Sequence, residues 1–575
     1  MMLRICLFIA SFIVLALIAF GPAINGELIT VDDPDLIKAL ETRNAWNLKR
    51  TFVRHNTTGL YYRPLTTLTF TADKLFWDAD LRVMHLINIA LHILNALMVF
   101  LLARFLFGFQ HYGWHLSFAS AVLFLCHPIT AESVNWISGR TDILSATFVF
   151  GSALAILQFI RSKHRSWLVG AACLGALGVM AKETAIAFLA GFGFLLWACE
   201  CPEKITVKSM MRRGALLAGL IAVAGGSAYA LLFSMRSFVL KEETSHIALT
   251  FRIMDSDWYY SFFVGLRAFG FYVKKIFLPL PLNFAIVEVD ALYELLAIPV
   301  MLVLIYNFLK RSLAGGYILT GAALISPAFP IAFNQIAWTP YAERYVYIAC
   351  GFVLPAVVFY VRKLKIDARY VLTGFFVIAL FFLGVTSYRS WQWRTNETLW
   401  ADTVKKSPLS EKALNNYGVA LSQQGRYKEA ELMFNKAAGK KQFNYKYNDK
   451  YDINVAVAMM KREEFQQARE KLLFVIERSK GESNRAVDVF MEIAEKDHAH
   501  SDQTLNGLRD QLFELADKTQ HAGYFYQLGR VEAQVSNQEM AQDYYKKAVA
   551  AARKSDPILG KAEKALEAYK SQNTE

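Results

Sequence analysis

Charge is scarce in this chain. Asp, Glu, Lys and Arg make up 19% of its 575 residues, against about 25% in soluble proteins. With 55% apolar residues beside it, that shortfall excludes a purely soluble enzyme. Cysteine is scarce too. Cys6, Cys126, Cys173, Cys199, Cys201 and Cys350 all lie before residue 391, mostly in apolar stretches, which excludes a disulfide-stapled secreted scaffold. The Cys199-Glu200-Cys201 triplet beside a basic loop is too slight a pattern to name a metal.

What is present falls into two unlike halves. Length alone suggests about three or four domains, but up to about Ser390 apolar stretches of spanning length recur, and from Trp391 the chain turns polar and helical in pattern. A membrane-spanning helix needs about 20 mostly apolar residues. The candidates are 3–22, 83–107, 115–131, 142–160, 166–181, 184–199, 214–234, 289–309, 316–336, 345–361 and 370–388. The stretch 261–283 is interrupted by Arg267, Lys274 and Lys275 and reads as an interfacial or re-entrant helix. The expected fold is all-α: a membrane bundle of about 11 spans over 1–390, then soluble helical repeats over 391–575.

The net charge of +13 does not point to nucleic acid, because the tail is close to balance and the excess lies in loops beside the membrane. Arg161 to Arg165, Lys204 to Arg213, Lys310-Arg311 and Arg362 to Arg369 fall at alternate ends of spans. Placing them inside puts the N-terminus in the cytoplasm and the tail on the outer side, periplasmic in a bacterium or lumenal in a eukaryote.

With that topology the polar residues of the membrane half gather at the outer face. The first outer loop carries Asp32-Asp33-Pro34 and Tyr61-Tyr62-Arg63-Pro64. His85, Asn88, His92 and Asn95 share one helical stripe. The segment from His127 holds Glu132, Ser138-Gly139-Arg140 and Asp142, and Lys182-Glu183 and Glu343-Arg344 open later spans. Ionisable groups at membrane depth mark a site or a buried ion-pair network. Blander roles stand beside the functional one. Asp32-Asp33 fit a helix cap, and Asn88, Asn95 and His92 fit hydrogen bonding between helices. His127 fits a satisfied boundary histidine, while Arg140 with Asp142 and Glu343 with Arg344 fit structural pairs. Lys182 is the least bland, since a lysine between two apolar helices needs an anionic partner. A zinc site from His85, His127 and Glu132 lacks the short helical spacing of strong motifs, so no metal or other cofactor is expected.

The segments Tyr62-Arg-Pro-Leu-Thr-Thr-Leu-Thr-Phe70, His127-Pro-Ile-Thr-Ala-Glu-Ser-Val-Asn-Trp-Ile-Ser-Gly-Arg-Thr-Asp-Ile-Leu144 and Ala342-Glu-Arg-Tyr-Val-Tyr347 resemble those of the transmembrane and tetratricopeptide-repeat protein O-mannosyltransferases and their bacterial relatives, of the GT-C class. The order holds over nearly the whole chain, and the His127 segment is the most specific part. A tail shorter than in animal members implies a bacterial protein of the inner membrane. The resemblance implies a polyprenyl-phosphate-linked sugar donor, an acceptor protein or peptide, and transfer outside the cytoplasm. Asp33 matches the acidic residue that such enzymes use in the first outer loop. It is therefore expected as general base, with Asp32 supporting or replacing it. Arg63, Arg140, Lys182 and Arg344 are the expected phosphate ligands. His85, His127, Glu132, Asp142, Glu183 and Glu343 would orient those cations or the substrate. One direct displacement implies inversion. A transporter or flippase of lipid-linked sugars and a membrane-anchored scaffold are the alternatives.

The tail fits the tetratricopeptide pattern of small residues at helix crossings. A first unit runs through Tyr417, Gly418, Ala430, Phe434 and Ala437, and a second through Ala456, Ala468, Leu472 and Val475. A third runs through Leu528, Gly529, Ala541, Tyr545 and Ala548, while 484–520 look helical but fit poorly. Trp391, Trp393 and Trp400 are expected at the membrane interface.

Overall fold

The computed structural model describes residues 2–41, 63–108, 112–199, 257–333, 339–439, 449–497, 501–535, 537–552 and 557–572. The expected span at 214–234, the basic run Lys204 to Arg213, and Tyr61-Tyr62 lie outside the described residues. Two compact units divide the chain, Met1–Ser407 and Pro408–Glu575. Among the described residues helices make both units, with one isolated antiparallel bridge between Ile286 and Tyr341.

Among the described residues of the first unit, seven helices are long and apolar enough to cross a membrane: Cys6–Ala23, Leu81–Phe107, Ile137–Ser162, Leu292–Lys310, Leu313–Ile331, Glu343–Arg362 and Ala368–Gln392. The chain is a multi-pass membrane protein. Three more expected spans are present as shorter apolar helices, Gly113–Leu125, Ser166–Ala181 and Glu183–Ala198, so length and composition do not yield the full count of 11. Sequence explains their brevity. Gly113–Leu125 stops before His127-Pro128, and Pro disfavours helix in the residue before it. Lys182 is in extended conformation and splits two apolar helices that would otherwise run on.

The stretch around Arg267 is a continuous helix, Trp258–Phe277, whose cations have partners: Arg267 pairs with Glu294, and Lys275 with Glu343. The bundle interior is one continuous apolar core that draws on most of these helices. Trp393 and Trp400 lie outside that core. Both are buried with their rings against Phe284, and the Trp400 indole N–H donates to Thr30 Oγ1 at 2.9 Å. Trp391 is exposed and stacks on Tyr388. These contacts carry the first unit on to Ser407 rather than ending it at residue 390.

The second unit is a run of helices from Glu411–Gln423 to Pro557–Gln572, each packed on the next in sequence. Gly418 shows why the pattern demands a small residue, because a Cβ there would lie 2.5 Å from the Phe434 ring. The small and apolar residues of the three expected repeats are buried, Tyr417 excepted, and 484–520 form one further pair, Asn484–Lys496 and Ser501–Thr519.

Candidate functional site

The His127 segment builds the centre of the site. After Pro128 the chain makes two short turns, Thr130–Asn135 and Ile137–Gly139, before the long helix Arg140–Ser162. Gly139 permits the fold-back, since a Cβ there would lie 2.4 Å from the Ser133 carbonyl oxygen. Four of the expected site residues, His127, Glu132, Arg140 and Asp142, thus come from one compact corner.

Asp33 opens the helix Asp33–Glu41 and docks on this corner. Its side chain is 0% exposed. Oδ1 accepts from the Ser138 backbone N–H at 3.1 Å and from the Ser138 hydroxyl at 2.6 Å, and Oδ2 accepts from the Ile29 N–H at 3.3 Å. Burial pushes its carboxyl up to about 7, and the Asp32 charge acts in the same direction. The preceding segment is moored at its other side: Asn396 donates to the Leu28 carbonyl at 2.7 Å, and its Oδ1 accepts from the Thr30 N–H at 3.0 Å. Asp32 is exposed, with φ of 62°.

A second group lies beyond Trp136, whose indole N–H donates to the Val31 carbonyl at 3.2 Å and whose ring takes the Arg344 guanidinium 5.3 Å from its centroid. Arg344 is paired with Glu132, which also accepts the Arg344 backbone N–H, and it reaches the Tyr345 hydroxyl at 3.2 Å. Lys182 pairs with Asp142 at 2.5 Å. Arg63 makes a bidentate pair with Glu183 at 2.9 and 2.7 Å. Asp142, Lys182, Thr184, Arg344 and Tyr345 line a small pocket together with Leu324, Pro327, Ala328, Ile331 and Ile348. Asp142 Oδ2 is buried and has no hydrogen-bond partner among the described residues.

Other expected residues are engaged elsewhere. Arg140 is 0% exposed and held by Asp73 at 2.5 Å, Asn88 at 2.8 Å and the Met84 carbonyl, over the Phe70 ring. It does not line the pocket, and its partner is Asp73 rather than Asp142. His127 is tied through Nε2 to the Ile276 carbonyl at 2.9 Å and packs on Phe382. Glu343 accepts from Lys275 at 2.6 Å and from the Asn283 N–H at 3.0 Å, so it partners Lys275 instead of Arg344. His92, Asn88 and Asn95 do bond between helices, to Tyr347, Trp136 and Ile143. His85 is buried, and its Nε2 lacks a partner among the described residues. No group of three or more metal-ligating side chains occurs among the described residues.

Asp73 and Lys275 escaped the sequence reading. Asp73 had a signal: Thr66, Phe70 and Asp73 recur on one face of the helix Pro64–Trp77, and all are buried. Lys275 had none, because its partner lies 68 residues away.

Residues 69–229 match the family model described as dolichyl-phosphate-mannose-protein mannosyltransferase. Human protein O-mannosyl-transferase TMTC4 is 27% identical over 252 residues, covering 37% of this chain and 34% of that protein. A Xenopus laevis protein O-mannosyl-transferase, tmtc2, is 32% identical over 145 residues, 24% of this chain and 17% of that one. A Caenorhabditis elegans protein O-mannosyl-transferase is 22% identical over 426 residues, 71% of this chain and 57% of that one. The chain thus spans about a third of the human relative's length. The tetratricopeptide-repeat protein YrrB, described as having an unusual peptide-binding site, aligns over 29% of this chain and 80% of its own at 21% identity, with a TM-score of 0.17. By the family model over residues 69–229 and by these relatives, the chain is similar to the TMTC-type protein O-mannosyl-transferases.

Proposed function

We propose that the protein transfers a mannose-type sugar from a polyprenyl-phosphate-linked donor to a Ser or Thr hydroxyl of a protein, on the outer side of the membrane and with inversion. The observation that carries this reading is a small pocket lined both by cations and by apolar side chains. Lys182 and Arg344 supply cations, and Leu324, Pro327, Ala328, Ile331 and Ile348 supply apolar lining. A lipid phosphate has the same division.

Each cation keeps donors beyond those its carboxylate uses, since an ammonium has three and a guanidinium five. Fixed cations at the leaving phosphate stabilise the charge that develops as the glycosidic bond breaks. Arg63, held beside Lys182 by Glu183, adds a third positive group. The buried Asp142 Oδ2, without a partner among the described residues, is an acceptor suited to a sugar hydroxyl. Asp33 is the base that finally receives the acceptor's proton, with Asp32 exposed next to it. Arg140 and His127 hold the corner together rather than meeting substrate. The second unit is the proposed holder of the acceptor polypeptide. The N-terminus is assigned to the cytoplasm, and the second unit to the periplasm of a bacterial inner membrane.

The test is incubation of the purified full chain with radiolabelled polyprenyl-phosphate mannose and a Ser/Thr-rich peptide. Transfer of label to peptide with release of lipid phosphate is expected, and a donor left intact overturns the reading. A topology reporter fused near Thr30 or at Glu575 should report the outer side. A cytosolic signal there would remove the proposed orientation.

A further inference from the structure

The proposed base is sealed off. Asp33 has no exposed surface, and each of its carboxylate oxygens is occupied by a donor from the protein. A hydroxyl on an acceptor polypeptide has no direct approach to it. One of those donors is different in kind. The backbone N–H groups of Ile29 and Ser138 cannot pass a proton on, whereas the Ser138 hydroxyl can, because it accepts as well as donates. Ser138 is half-buried where Asp33 is closed, and its Oγ lies 2.6 Å from Oδ1.

Ser138 also stands in the right place along the chain. It precedes Asp142 by four residues, from the short turn Ile137–Gly139 into the first turn of Arg140–Ser162, which sets the two about one turn, or roughly 5–6 Å, apart. Asp142 and its partner Lys182 line the pocket. The outlet of the sealed carboxylate and the cation-lined pocket are therefore neighbours on one rigid corner, which Gly139 holds tight against Ser133.

Resting on the transferase reading above, the geometry points to Ser138 as the catalytic group that meets the acceptor hydroxyl and relays its proton to Asp33. In this step the acceptor oxygen bonds to the anomeric carbon as the bond from that carbon to the phosphate oxygen breaks. The bonding pair leaves on the phosphate beside Lys182 and Arg344. The acceptor's proton moves to Ser138 Oγ while the Ser138 proton moves to Asp33 Oδ1, so serine is unchanged and the carboxyl ends protonated. A carboxyl raised towards neutrality is the better receiver for such a transfer.

The experiment compares Ser138→Ala, Ser138→Thr, Asp33→Asn and the Ala/Asn double variant in the full chain, using polyprenyl-phosphate mannose and the Ser/Thr-rich peptide. Ser138→Ala should lower kcat by about 10²-fold or more with the donor KM unchanged, since it removes proton transfer and not phosphate binding. Ser138→Thr, which keeps a hydroxyl, should recover most of the rate. The double variant should be no slower than the slower single one. Binding of unglycosylated polyprenyl phosphate serves as the check on folding. A serine that merely holds Asp33 is replaceable, because its backbone N–H remains. Ser138→Ala within about twofold of wild type, or additive losses in the double variant, therefore overturns the relay. Loss of polyprenyl phosphate binding in Ser138→Ala with no rescue by Thr also overturns it. Inactive wild type defeats the transferase reading instead, so the two failures are distinguishable.

Discussion

The Lys182 ammonium and the Asp142 carboxylate meet at 2.5 Å where almost no solvent reaches either. Only one carboxylate oxygen is used in the pairing, and the other has no partner among the described residues. A buried pair of this kind is strongly destabilised by removing one member, by about 3–5 kcal/mol, because the survivor is left as an unpaired charge.

Lys182→Met should accordingly lower the thermal midpoint of the detergent-solubilised protein. Adding Asp142→Asn should recover part of the loss by neutralising the orphaned carboxylate. In the fraction that stays folded, donor KM should rise more than acceptor KM. The opposite ranking in a kinetic assay would count against a phosphate role for Lys182.

Asp33→Asn should cost on the order of 10²–10⁴ in rate. Burial holds the Asp33 carboxyl at about 7, so it acts as base only above that pH, and wild-type kcat should fall as pH is lowered through about 7. The Asn variant should lack this limb. The same shift has a stability sign. The fold favours the protonated form, so the contribution of Asp33 to stability is full below about pH 4 and is lost as pH rises through about 7. Thermal melts of both proteins across pH 4–8 test this, the wild type losing more stability with rising pH than the variant.

Arg140→Met separates a strut from a ligand. With Asp73 left uncompensated, the variant should lose about 3–5 kcal/mol of stability, while donor KM in the folded fraction stays at the wild-type value. A large rise in donor KM without a change in melting would restore Arg140 to the phosphate site.

Gly139→Ala places a methyl 2.4 Å from the Ser133 carbonyl oxygen. The corner must open, at a cost of about 1–3 kcal/mol, and Ser138 moves with it. A drop in kcat at unchanged polyprenyl phosphate binding is the expected kinetic trace.

How far the sequence reveals this molecule depends on how far apart the partners lie. Helices announce themselves locally, so ten of the eleven expected spans have a helix among the described residues, and the tail helices follow their small-residue spacing. The segment from His127 to Leu144 shows its candidate residues because it is one continuous corner. Pairings across the bundle are another matter. Arg140 next to Asp142 suggests a local pair, yet Arg140 turns to Asp73 and Asp142 to Lys182, since neighbours on a helix start point in different directions. Glu343 and Arg344 diverge for the same reason, one to Lys275 and the other to Glu132. Sequence order brings the charges to loops and helix ends, but only packing decides who meets whom.

The mooring of Thr30 by Asn396 and Trp400 joins positions 366 and 370 residues apart. A ribosome therefore delivers the fastener only after the described membrane helices, which end at Gln392, have been made. Until then the loop with the acidic pair is untethered at its near end, and contacts this distant are the slow ones to form. Any chain cut short ahead of Asn396 lacks the clasp, so a half-made copy lodged in the bilayer should stay chemically silent.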